Sequence, residues 1–132
     1  MPRKNPDFKA HRFNYAGALR HLGLVQRDRG ATADAIRAFR QSLIVYEGLA
    51  DDQRDPKQSL GTASDLGLAL AADAKRSGSA SARSAARAAL QHAIEGWQAY
   101  QRGAGAKEDH QKDVDALSAA LREVDRMAGG RP

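Results

Sequence analysis

Cysteine is absent from the 132 residues, which excludes a disulfide scaffold, a thiolate metal site, an iron–sulfur cluster and a cysteine nucleophile together. β-Branched residues are scarce: four valines, three isoleucines and two threonines do not furnish a sheet. Aromatic residues make up only 5% of the chain, so a core must be built from small side chains. No run approaches the roughly 18 apolar residues of a membrane span, and Met1 to Pro6 lead into no apolar signal segment. A cytoplasmic protein is the expectation. What the chain does have is 28% charged and 42% hydrophobic residues, a balance that folds. Abundant alanine then predicts an all-α fold, and the length predicts one domain over 1–132. Arginine outnumbers lysine 15 to 6 amid much alanine and glycine, a bias typical of a GC-rich bacterial genome.

Helix breakers divide the chain into five helical segments. Asn5-Pro6 opens the first, on which Phe8, Tyr15, Leu19, Leu22 and Val25 fall near one face. Gly30 closes it, and Thr32 is placed to cap a second helix with the stripe Ile36, Phe39, Leu43, Ile44 and Tyr46 or Leu49. The cap-plus-proline pair Asp55-Pro56 opens a third, carrying Leu60, Ala63, Leu66, Leu70 and Ala74. After Ser77-Gly78-Ser79, a fourth runs from about Ser81 to Gln101 with Ala86, Leu90, Ala93, Ile94 and Trp97 inward. Gly103-Ala104-Gly105 stops it. The last, over 107–128, sets Val114, Leu117, Leu121 and Val124 at three- and four-residue steps.

Two of these hairpins share a pattern. The first reads Leu19-x2-Leu22-Gly23-x2-Gln26 and then Ala35-x3-Phe39-x2-Ser42. The second reads Ala63-x2-Leu66-Gly67-x2-Leu70 and then Ala86-x3-Leu90-x2-Ala93. Small Gly23 and Gly67 allow close approach of the partner helix, and Phe39 and Leu90 fill the gap beyond. On these residues the chain resembles the tetratricopeptide repeat family, with 6–50 as one repeat and 56–101 as a degenerate second. The interval from Gly67 to Ala86 is seven residues longer than that from Gly23 to Ala35, with the surplus around Lys75 to Ser81. The 44 residues from Leu22 to Leu66 are similar to the longer-period repeats of kinesin light chains and bacterial signalling proteins.

The resemblance implies stacked antiparallel hairpins in a right-handed superhelical segment, a groove that binds protein segments, and no catalysis. Its groove positions fall on Gly17, Arg20, Leu24 and Arg27 in the first repeat and on Gly61, Ser64, Leu68 and Ala71 in the second. Two repeats leave an open apolar end. The 107–128 stripe either caps that end or pairs between chains in a homodimer.

No catalytic constellation stands out. His11, His21, His92 and His110 lack metal-ligand spacing and read as surface or packing residues. Asp51-Asp52 with Asp55 read as a turn, and Glu108-Asp109 as the opening of a helix favoured by its dipole. The expectation is no enzyme, no cofactor and no metal. The net charge of +5 is concentrated before residue 51, where nine Lys/Arg, including Arg3, Lys4, Lys9, Arg12 and Arg29, face four Asp/Glu. That basic half suits an acidic protein or peptide partner. Without a recognition helix, a zinc finger or RNA-binding aromatics, nucleic acid is the second choice and a homo-oligomeric structural unit the third.

Overall fold

The computed structural model describes residues 6–49, 55–103 and 106–129, with side chains over 11–49, 55–103 and 106–127. The expected turn Asp51-Asp52, the cations Arg3 and Lys4, the side chains of Phe8 and Lys9, and Ala104-Gly105 lie outside that set. The described residues form five helices and no strand: α1 Pro6–Asp28, α2 Thr32–Glu47, α3 Pro56–Ser77, α4 Ala80–Arg102 and α5 Gln111–Gly129. The chain divides into two compact units, Met1–Thr62 and Ala63–Pro132, with the division falling inside α3.

In the first unit α1 and α2 form an antiparallel hairpin. Gly30, at φ +80°, adopts the left-handed conformation, Ala31 N–H donates to Gln26 O at 2.8 Å and Gly30 N–H to Arg27 O at 3.0 Å. This closure makes Ala31 both the end of one helix and the N-cap of the next. Thr32 is therefore the first residue of α2 and not its cap, and α2 starts without a side-chain cap. The buried face of α1 is Ala16, Leu19 and Gly23, set by the entry of Phe39 over Gly23, and Tyr15 and Leu22 sit one residue, about 100°, off it. Both are exposed, and so is Ile44 on α2, contrary to the stripes read from the sequence.

Further along the hairpin, Ser42 donates to Ala16 O at 2.7 Å, and Tyr46 packs on Ala16 and Leu49 with its ring edge to Phe13 at 5.7 Å. The first two turns of α3 belong to this unit. Asp55 caps α3, its Oδ1 accepting from Lys57 N–H at 3.1 Å.

The second unit is built from the rest of α3 with α4 and α5. Its core is Ala63, Leu66, Ala69, Leu70 and Ala74 from α3, Ala86, Leu90, Ala93 and Trp97 from α4, and Val114, Leu117 and Val124 from α5. Gly78 at φ +68° turns the chain, and Ser79 caps α4 by accepting from Ala82 N–H at 3.0 Å. The surplus between Gly67 and Ala86 lengthens the helices and not the turn. α3 continues to Ser77, ten residues past Gly67, whereas α1 ends at Asp28, five past Gly23. The α5 stripe is taken up within the unit, with ion pairs Arg87–Asp125 to α4 and Lys75–Glu123, at 3.4 Å, to α3. α5 begins at Gln111, later than expected, because Glu108 to His110 fold back on α4 before the Asp109 side chain caps it at 2.9 Å from Gln111 N–H.

Candidate functional site

The residues singled out from the sequence occupy different settings. Gly17 is half-buried, and a Cβ there would stand 3.6 Å from the Tyr46 hydroxyl. Arg20 is half-buried and lays its guanidinium on Gly61, whose added Cβ would be 2.8 Å from both terminal nitrogens. The Tyr46 phenol beside it is raised above its ordinary 10.0, chiefly by burial, with Arg20 opposing and Asp55 adding. Leu24 is half-buried, and Arg27 is exposed in an ion pair with Asp28 at 3.1 Å. In the second unit Leu68 is exposed, while Ser64 accepts the Trp97 indole N–H at 2.8 Å. Ser64 is thus a partner for a buried aromatic. Ala71 lines a small recess of about 130 Å³ between α3 and α5, edged by the Lys75–Glu123 pair.

His110 is the one histidine with a defined setting. It stacks on Trp97, ring centres 4.5 Å apart, with Nε2 at 3.2 Å from Glu108 Oε1 and Nδ1 at 3.4 Å from Asp113 Oδ2. Tyr100 donates to the other Glu108 oxygen at 2.8 Å. These contacts fasten the α4–α5 connector onto α4. His11, His21 and His92 are exposed. Among the described residues no group of three or more histidine and acidic side chains is placed to hold a metal ion, and no helix is long and apolar enough to cross a membrane.

A larger cleft, of about 460 Å³, lies on the α1–α2 hairpin. Leu19, Leu22 and Gln26 line it from α1, and Ala38 and Gln41 form its α2 wall. Asp34, Arg37 and Arg40 stand at its polar edge, with Arg37 turned onto Asp34. Arg40 makes no ion pair among the described residues, and the Gln26 Oε1, although buried, accepts no hydrogen bond there. Leu22 is 46% exposed, Tyr15 two turns earlier on the same face is 54% exposed, and Ile44, one turn past Gln41, is 68% exposed. Sequence reasoning assigned Leu22 and Ile44 to packing, named Gln26 only as a position of the repeat pattern and passed over Arg40. The seven-residue interval from Tyr15 to Leu22 is the signal that marks this face. Compared with family models, with curated proteins and with solved structures, the chain matches none.

Proposed function

We propose that this chain is a non-enzymatic protein-interaction module of the tetratricopeptide kind, an adaptor from a bacterial cytoplasm that holds a protein or acidic peptide segment. One observation carries the reading: the repeated pattern residues do the same work in both units. Gly23 lies under Phe39, where a Cβ would be 2.5 Å from the ring, and Gly67 lies under Leu90, where it would be 3.0 Å from a methyl. Ala35 and Ala86 are fully buried at matching places, and so are Phe39 and Leu90. A close helix pair built on one small-residue site and repeated along a chain is the architecture that presents extended faces to other polypeptides. The surplus of positive charge suits an acidic partner, with eleven Lys/Arg against seven Asp/Glu over residues 1–62.

Affinity capture from a native bacterial extract at physiological salt, run beside anisotropy titrations with duplex and single-stranded DNA, tests the proposal. A single polypeptide recovered in stoichiometric amount, with DNA binding negligible at that salt, is the expected result. DNA binding that falls steeply with salt, and no stoichiometric polypeptide, removes the adaptor reading in favour of a nucleic-acid-associated protein.

A further inference from the structure

We infer that the α1–α2 cleft docks an acidic amphipathic helix of another protein, laid along the hairpin as a third helix; this rests on the protein-interaction reading above. Three observations on one face converge. The first is apolar. Of the large hydrophobic side chains exposed among the described residues, Leu22 lines the cleft itself, and Tyr15 and Ile44 stand on the same two helices, α1 and α2. Leu19, Leu22 and Gln26 on α1, and Asp34, Arg37, Ala38 and Gln41 on α2, recur at three- and four-residue steps, so each helix lines the cleft with one row of side chains. A helix lying in the furrow between two such rows meets apolar side chains at its own i, i+3, i+4 and i+7 positions.

The second is an unmet hydrogen bond. A buried acceptor without a donor lowers the stability of the free protein, yet Gln26 Oε1 stands so inside the cleft lining. Rotation of the Gln26 side-chain amide into the cleft brings this oxygen to a hydroxyl or amide donor on the docked helix, which satisfies it and turns that loss into selectivity. The third is charge. Asp34 is already neutralised by Arg37, which leaves Arg40 as the surplus charge at the edge, and His21 on α1 and Arg29 in the turn that follows it are exposed. A carboxylate flanking the apolar stripe of the partner pairs with Arg40. The same charges argue against a second copy of this chain as occupant, because a two-fold contact sets Arg40 and its neighbours against their own images.

The probes are a fluorescent peptide of about 18 residues, five helical turns, with leucines along one face, one serine among them and glutamates on both flanks, and its twin with every glutamate replaced by lysine. Binding is read by anisotropy at physiological salt, and its location by amide chemical shifts. The acidic peptide is expected to bind and the lysine twin to fail. Leu22→Ser and Arg40→Glu, both at exposed positions, are each expected to weaken binding about tenfold or more, while Arg122→Glu, the same charge change on α5, leaves it within about twofold. Amide shifts are expected on Leu22, Gln26, Ala38 and Gln41. Equal binding of the two peptides, indifference to Leu22→Ser, or an equal effect of Arg122→Glu overturns the inference, because each means diffuse attraction. A concentration-dependent dimer of the chain alone, abolished by Leu22→Ser, also overturns it, by naming the second copy as occupant. A native partner captured equally by the wild type and by Leu22→Ser removes this site and leaves the protein-interaction reading standing.

Discussion

Gly23→Ala puts the hairpin geometry under direct strain. An alanine Cβ would stand 2.5 and 2.6 Å from two Phe39 ring carbons and 3.0 Å from a third, whereas carbon atoms prefer roughly 3.5–4.0 Å. Relief requires a shift of about 1 Å by a ring that is fully buried. An overlap of about 1 Å against a fully buried ring falls in the upper part of the overpacking range, about 2–3 kcal/mol, while the better helix propensity of alanine returns about 1 kcal/mol. The net expectation is a loss of about 1–2 kcal/mol, seen as a fall in melting temperature of roughly 3–10 °C by circular dichroism. Gly67→Ala is the internal control. Its Cβ meets the end of a flexible Leu90 side chain at 3.0 Å and the Leu90 Cα at 3.5 Å, so a movement of a few tenths of an ångström suffices. That variant should lie within about 0.5 kcal/mol of the wild type. In Gly23→Ala with Phe39→Leu the two losses should fall short of additivity by about 1 kcal/mol. Wild-type or higher stability of Gly23→Ala, or losses of the same size at both glycines, refutes the reasoning.

Tyr46 supplies a pH dependence. Its phenol is raised above 10.0 mainly by burial, so the unfolded chain ionises first and native stability should fall as pH rises through and beyond 10. Urea midpoints followed from pH 8 to 11 should show that part of the fall absent in Tyr46→Phe. Gln26→Met, which removes the buried orphan acceptor, should raise the unfolding free energy by about 1 kcal/mol in urea melts; a loss of that size would mean Gln26 holds a partner in the free protein. Leu117→Ala, at a position 1% exposed, should cost about 2–5 kcal/mol and hasten amide exchange along α5.

Helix number and class were legible because breakers carry local physics. Gly30 and Gly78 take positive φ, and Asp55 and Ser79 cap the helices that follow. The core of the second unit was legible too, since Leu66, Leu70, Leu90, Trp97, Val114 and Leu117 repeat at helical spacing and are buried. The faces of α1 were not. Phase along a helix is decided by what the partner inserts, and the Phe39 ring over Gly23 rotates the buried stripe from Tyr15 and Leu22 to Ala16 and Gly23, with Leu19 common to both. The α5 start was hidden for a similar reason: the stack of His110 on Trp97 draws Glu108 to His110 out of the helix, a contact between residues 13 apart in sequence. The polar edge of the cleft was invisible as well. An unmet acceptor such as Gln26 Oε1 exists only once its surroundings are folded.

Each unit closes its hairpin by seating a large side chain on a glycine, Phe39 on Gly23 and Leu90 on Gly67. Nuclear Overhauser contacts measured in solution test it most directly. Strong cross-peaks from Gly23 Hα to the Phe39 ring protons and from Gly67 Hα to the Leu90 methyls are predicted. Their absence at either glycine in a folded sample would contradict the shared geometry, and the repeat-module reading with it.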